Sequence, residues 1–231
     1  MIITTIASGS AGNAYIVDDG ISQLLLECGI RFQLVKEAMM FDFSRVAGLL
    51  ITHEHGDHTK GVKDFIKSTA VDLYASEGTL EALNLEGYRI HHLASKESKT
   101  IGSWRVLPFQ TEHDAAEPLG FLLASQTGEK VLFATDTYYL KYTFKGITHL
   151  MLECNYSFDI LSENQLDQTR KNRVINSHFS LENVKEFIKA NDLSKLKEVH
   201  LLHISEKNGD PERFKKEIQE LTGIPVFIAG R

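Results

Sequence analysis

Thr52-His53-Glu54-His55-Gly56-Asp57-His58 directly follows an apolar run, Val46 to Ile51. The run reads as a buried strand, and the residues after it place three histidines and an aspartate in the pattern His-x-His-x-Asp-His. Alternate side chains of an extended chain share a face, so His53 and His55 point the same way. Gly56 then lets the chain turn, and Asp57 and His58 arrive from a new direction. One tetrahedral ion does not readily take all four side chains. The spacing therefore points to two neighbouring metal ions, one fed by each pair, rather than to a histidine-rich surface loop.

Working outward, the composition is that of a globular protein. The 231 residues are 42% hydrophobic and 24% charged, enough for a substantial core. No apolar stretch approaches the ~20 residues that span a bilayer. Met1-Ile2-Ile3-Thr4-Thr5-Ile6 reads as a first strand and lacks the basic start of a signal peptide, so a cytoplasmic location is expected. Cys28 and Cys154 stand far apart in no metal spacing, and each ends an apolar segment, which predicts reduced, semi-buried thiols. A net charge of −6 argues against a general nucleic-acid coat, although two bound divalent cations would reverse the sign locally. No low-complexity linker interrupts the chain, so residues 1–231 are expected to form a single domain; an oligomer is compatible with the sequence.

Before the histidine motif, Ser8-Gly9-Ser10-Ala11-Gly12-Asn13 joins two strands through a tight turn whose small residues permit close backbone approach. Gln23 to Glu27 is a third strand, and Arg31 to Met40 has helical apolar spacing. After the motif, Val62, Phe65 and Ile66 predict a short helix, and short strands then run from Val71 to Phe109 with one helix around Thr79 to Leu83. His91 and His92 are adjacent on a strand and read as structural or solvated. Thr111 to Pro118 is a polar loop containing His113, with Asp114 and Glu117 read as solvated loop acids. The strand Lys130 to Ala134 runs into Thr135-Asp136, where a carboxylate either starts a turn or, with its two oxygens, joins two cations.

The strand His149 to Glu153 follows, and then a polar stretch, 162–176, carries Arg170, Lys171 and Arg173. These three are either a phosphate-binding loop or a solvated one. Ser180 reads as the N-cap of a helix reaching Ala190, with Val184, Phe187 and Ile188 on one face. Val199 to Leu202 is a strand that delivers His203, and His200 within it reads as structural. Asp210-Pro211 starts the last helix, with Phe214, Ile218 and Leu221 inward, before a strand at 226–229.

The motif at residues 53–58 resembles the hallmark of the metallo-β-lactamase superfamily. The resemblance implies an α/β (α+β) fold, the αββα four-layer sandwich of two mixed β-sheets flanked by helices, with a two-metal hydrolytic site along one edge. The turn Ser8 to Asn13 and the string His113-Asp114-Ala115-Ala116-Glu117-Pro118-Leu119-Gly120-Phe121 resemble the compact YycJ/WalJ-type branch, related to RNase Z-like and β-CASP-like enzymes. The stretch from Asp136 to His178 is too short for a β-CASP insertion.

Carried onto this chain, the resemblance implies that His53, His55 and His113 hold the first metal and Asp57, His58 and His203 the second, with Asp136 bridging them. Glu27 stands where most members have Asp and would brace the metal loop. Glu153 and His178 occupy the places of a carboxylate and a histidine that act together on the leaving group. The implied chemistry is in-line attack by a metal-bridging hydroxide, with Asp57 accepting the water proton and His178, oriented and kept protonated by Glu153, assisting departure. Zinc suits imidazole ligands, and a thiolate-free set of nitrogen and oxygen donors also suits manganese or iron.

The expected function is thus a metal-dependent phosphodiesterase or nuclease acting on nucleic acid, DNA before RNA and exonuclease-like, with no membrane partner. A cyclic or short-nucleotide phosphodiesterase keeps the same site with a smaller substrate. A thioester or lactone hydrolase keeps the fold, but its acyl leaving group has less need of the Glu153–His178 pair. A non-catalytic, metal-stabilised module is disfavoured because no expected ligand is missing.

Overall fold

The computed structural model of the protein describes residues 1–230, which divide into two compact units. The first contains residues 1–110 and 115–128; the second contains residues 111–114 and 129–229.

In the first unit, β1 (Ile2–Ala7), β2 (Ala14–Asp18) and β3 (Gln23–Leu26) pair antiparallel. Helix α1 (Phe32–Ala38) then crosses back to β4 (Val46–Leu50), which lies parallel to β3. The motif forms a single turn, α2 (Gly56–Thr59), followed by α3 (Val62–Ser68), β5 (Leu73–Ala75), α4 (Glu77–Leu83) and β6 (Ile90–His92). The six strands run in sequence order across one sheet. Its inner strands are continuous apolar runs because they are covered on both faces: Leu24, Leu26, Leu49, Leu50 and Ile51 are fully buried. Phe32 of α1 meets Phe65 of α3 edge-on at 5.5 Å, closing the helical layer over them. The unit also holds an antiparallel ladder of β7 (Lys99–Ile101), β8 (Trp104–Gln110) and β9 (Leu119–Ser125), in which Trp104 is fully buried.

The second unit is built on β10 (Lys130–Ala134), β11 (His149–Glu153), β12 (Glu198–Leu202) and β13 (Val226–Ile228), all parallel and laid side by side in that order. Between β11 and β12 come α5 (Phe158–Glu163), α6 (Gln168–Ser177) and α7 (Leu181–Ala190), and α8 (Pro211–Thr222) precedes β13. Ala134 pairs with Leu152 and Glu153 with Leu202, so β10, β11 and β12 end at the same edge. That alignment matters most for function, because parallel strands deliver their next residues to a common place. The expected caps are present. Ser180 Oγ accepts the Asn183 N–H at 3.1 Å, Asp210 accepts the Arg213 N–H at 3.1 Å, and Gly223 ends α8 in the left-handed conformation.

Two expectations are corrected. The basic stretch is not a loop: Arg170, Lys171 and Arg173 lie on α6, whose N-cap Asp167 accepts the Arg170 N–H at 3.0 Å. This helix is mostly exposed and has no apolar stripe beyond Val174 and Ile175, so periodicity could not reveal it. Leu221, expected inward, is 39% exposed in the last turn of α8, while Phe214 and Ile218 are fully buried. Both cysteines are free and buried, and burial with the nearby Glu27 carboxylate pushes the Cys28 thiol up to about 12, leaving it inert. No helix of the described residues is long and apolar enough to cross a membrane.

Candidate metal centre

The first unit presents the motif on the loop leaving β4. His53 and His55 close on each other, with His53 Nε2 3.1 Å from His55 Nδ1 and rings nearly perpendicular. Two ring nitrogens converging in this way are suited to hold one cation. His58 lies fully buried with its ring 4.2 Å from that of His53, and its Nε2 is 3.5 Å from Asp57 Oδ2. Glu27 sits behind them, 1% exposed. It accepts the Thr52 N–H at 3.2 Å and stands 3.5 Å from His58 Nδ1. Burial pushes the Glu27 carboxyl above its usual range, against the opposing pull of His58.

The turn from Ser8 to Asn13 does more for this loop than its sequence indicated. Asn13 is fully buried; its N–H donates to the Asp57 carbonyl at 2.8 Å, and its Nδ2 lies 3.3 Å from His58 Nε2. Its Oδ1 accepts from Gly9 N–H and Tyr15 O–H, each at 3.0 Å. Asn13 is therefore a positioning residue that sequence reasoning missed. The only signal was a polar residue closing a run of small ones.

In the second unit the ends of the parallel strands bring five candidates together. Asp136 follows β10, Glu153 ends β11 and His203 follows β12, while His178 caps the C-terminus of α6. Ligating atoms of Asp136, Glu153, His178 and His203 all lie within 4.8 Å of one another. His203 Nδ1 is 3.3 Å from Asp136 Oδ1 and 3.1 Å from Glu153 Oε1. His113 Nε2 is 3.8 Å from Asp136 Oδ2, and its Nδ1 is hydrogen-bonded with the Ser177 carbonyl at 3.1 Å. Glu153, fully buried, takes His178 Nδ1 at 2.7 Å and the Thr137 and Phe179 N–H groups at 3.1 and 3.2 Å. Burial and the Asp136 carboxylate oppose its charge, but the charge and hydrogen bond of His178, with a hydrogen bond from His203, hold its carboxyl below the ordinary value. Burial likewise opposes the His178 imidazolium, and the Glu153 carboxylate outweighs it, so His178 is held above the ordinary imidazole value.

Three of these residues occupy the left-handed backbone region: Glu27 at φ 65°, Asp136 at φ 47° and His203 at φ 50°. Such a conformation costs a non-glycine residue on the order of 1–3 kcal/mol and persists where surrounding contacts over-determine it. Glu27 and His203 directly follow β3 and β12, and Asp136 stands two residues after β10.

The donors fit a metal. At His53, His113 and His203, Nδ1 is hydrogen-bonded with Thr52 Oγ1, a carbonyl and Glu153 respectively, and at His58 it faces the Glu27 carboxylate at 3.5 Å. Metal-bound histidines are held in this way through the nitrogen that does not face the ion. Of the remaining residues, Arg170 pairs with Asp167 and Lys171 Nζ donates to the Ser162 carbonyl, both near the surface. Glu117 is not a solvated acid: its carboxylate accepts the Gly78 N–H at 2.9 Å, at the start of α4. His91 stacks on Tyr74 and pairs with Asp72, and His200 stacks on Phe227, as structural histidines do.

The close approach behind the motif makes Gly29 indispensable. A Cβ there would lie 1.6 Å from the Asp57 carbonyl oxygen. Gly29→Ala is expected to destabilise the protein by about 3 kcal/mol or more, read from the urea midpoint, because the obstacle is backbone that cannot rotate away. A midpoint unchanged from wild type would refute this close approach.

Over residues 23–204 the sequence matches the family model described as a Beta-lactamase superfamily domain. It is 27% identical to Exodeoxyribonuclease YycJ of Bacillus anthracis, over 98% of this chain and 91% of that one. It is also 27% identical to Exodeoxyribonuclease WalJ of Streptococcus pneumoniae, over 90% and 82% of the two chains. Among solved structures it is similar to the metallo-β-lactamase fold protein YhfI from Bacillus subtilis, with a TM-score of 0.73 and 17% identity, covering 98% of this chain and 95% of that one. That likeness shows the fold, two mixed β-sheets flanked by helices.

Proposed function

The chain belongs to the β-lactamase superfamily, as a hydrolase of the metallo-β-lactamase fold with histidine and aspartate clusters suited to metal ions, and from that premise we propose that it is a binuclear phosphodiesterase degrading DNA from an end. His53, His55 and His113 would hold one ion and Asp57, His58 and His203 the other, with Asp136 shared between them. Zinc matches the imidazole-rich donors, and manganese or iron also matches a set without thiolate. Two divalent ions bound there would lower the pKa of a water at neutral pH and offset charge on the phosphoryl oxygens.

The observation that carries the reading is the Glu153–His178 pair. His178 Nδ1 is held at 2.7 Å by a buried carboxylate, and its ring stacks on His203 at 5.4 Å while remaining 21% exposed in its side chain. With Nδ1 engaged, Nε2 is the nitrogen that meets the substrate. A protonated imidazole so placed donates to a leaving alkoxide, which a phosphodiester produces and a thioester does not. Asp57 accepts a proton from the attacking water. The similarity to two exodeoxyribonucleases supports DNA as the polymer.

The test is hydrolysis of end-labelled single- and double-stranded DNA and RNA, alongside bis(p-nitrophenyl) phosphate, in zinc and in manganese. Progressive loss of label from DNA is expected. Turnover of the small diester alone would indicate a cyclic or short-nucleotide substrate, and inertness in protein holding two ions would indicate acyl chemistry.

Arg170 and Arg173 stand one turn apart on exposed α6, the spacing at which two guanidinium groups follow a phosphate backbone. Replacing both with alanine is expected to flatten the slope of log affinity against log salt by about 1.4 for single-stranded DNA, roughly 0.7 for each phosphate no longer neutralised. An unchanged slope would make them a solvated face.

A further inference from the structure

The segment that leaves Asp136 is Thr137-Tyr138-Tyr139-Leu140-Lys141-Tyr142-Thr143-Phe144, an aromatic run with a lysine in its middle. It does not pair into a strand; it lies over α7 within the second unit and leaves a cavity of about 270 Å³ between them. Phe179 and Phe187 line it from the buried side, only 2% and 6% exposed. Tyr139, 56% exposed, and Tyr142 line it from the segment, with Lys141 and Asn183 as polar edges. Asn183 Nδ2 donates to the Tyr138 carbonyl at 3.1 Å, and Asn191 Oδ1 accepts the Phe144 N–H at 2.7 Å. The segment is thus tied to α7 at both ends while its rings stay beside the opening. Glu112 anchors the near end, accepting from the Tyr138 N–H at 3.2 Å and from Lys141 Nζ at 3.0 Å.

The lining of the cavity is joined through the backbone to the proposed leaving-group residues. Phe179 follows His178 directly, and its own N–H donates to Glu153 at 3.2 Å. Tyr139 is three residues from Asp136 on the other side. Phe179 and Tyr139 thus tie the cavity through short stretches of chain to the groups that would handle a phosphate. Aromatic walls with amide and ammonium edges suit a flat, heteroaromatic ring, since every base has a face for stacking and a polar edge for hydrogen bonding. The size admits one such ring and not a duplex.

We propose that this cavity is a nucleobase pocket, in which Tyr139 and Tyr142 stack one unpaired base of a single-stranded DNA end and so set the adjacent phosphate before His178. The proposal rests on the nuclease reading above. It makes single-stranded ends the preferred substrate, because a paired base would first have to leave its stack.

The test compares the metal-loaded protein's affinity for a ten-residue thymidine strand with phosphorothioate linkages and for the same backbone made of abasic residues, by fluorescence anisotropy. Hydrolysis of the unmodified thymidine strand is measured in parallel. The wild type is expected to bind the strand with bases at least tenfold more tightly. In Tyr139→Ala and Tyr142→Ala that preference is expected to fall to about twofold, while the abasic strand binds as before. Tyr139→Phe, which keeps the stacking face, is expected to keep the preference. If the wild type hydrolyses the strand but shows no preference for bases, or the alanine variants retain it, the pocket is refuted and the nuclease reading stands. If it neither binds nor hydrolyses the strand, both fall together.

Discussion

On the proposed binuclear reading, Asp136→Asn is expected to reduce the bound metal from two ions to one or fewer per chain, and to lower kcat/KM by about 10³-fold or more. Loss of a group that merely orients a ligand already costs 10–100-fold in metal affinity or activity, and loss of a bridge removes a direct bond to both ions. Asparagine is the informative replacement. Asp136 sits at φ 47°, a region that asparagine tolerates and alanine does not, so the backbone geometry survives while the charge is removed. Its carboxylate is buried beside His203 at 3.3 Å and near His113 at 3.8 Å, where a neutral amide holds imidazoles but does not bridge two cations. Metal analysis by mass spectrometry and turnover of bis(p-nitrophenyl) phosphate are measured on the same sample. Two retained ions with more than about a tenth of the activity would remove Asp136 from the bridging position. Asp136→Ala, compared by thermal melting, separates the backbone contribution from the electrostatic one.

His178→Ala is expected to act differently, lowering the rate on DNA by about 10²–10⁴-fold, the range for loss of a positioned general acid, with both metals retained. Glu153 keeps its remaining partners in this variant, namely His203 Nδ1 and the Thr137 and Phe179 N–H groups, so the network around the cluster persists. The sharper readout is the dependence on the leaving group. A sugar alkoxide of DNA needs a proton as it departs, whereas p-nitrophenolate is stable without one. Turnover of bis(p-nitrophenyl) phosphate should therefore fall less than about tenfold in the same variant. An equal loss on both substrates would mean that His178 shapes the site instead of donating a proton, and an unchanged rate on DNA would remove it from the chemistry.

Sequence alone determined which residues follow the strands that carry the candidate site and where α7 and α8 start. An apolar run followed by His-x-His-x-Asp-His, an apolar run followed by Thr-Asp, and the caps Ser180 and Asp210 are local patterns, readable because strand and helix periodicities and capping bonds involve near neighbours. The fold followed from those patterns and from the family resemblance they carry. What sequence did not contain was how the candidates meet. That β10, β11 and β12 end level, so that Asp136, Glu153 and His203 share one edge, depends on sheet register. Asn13 reaches behind His58 across 45 residues of chain, an approach with no local signature. The left-handed turns at Glu27, Asp136 and His203 run against residue preference and are imposed by surrounding contacts. Helix α6 lacks an apolar stripe, and the aromatic cavity draws one wall from residues 139–142 and the other from 179–191. Local sequence reports each residue's own backbone tendency; only tertiary structure decides which side chains converge, because convergence depends on register and crossing geometry that no single segment encodes.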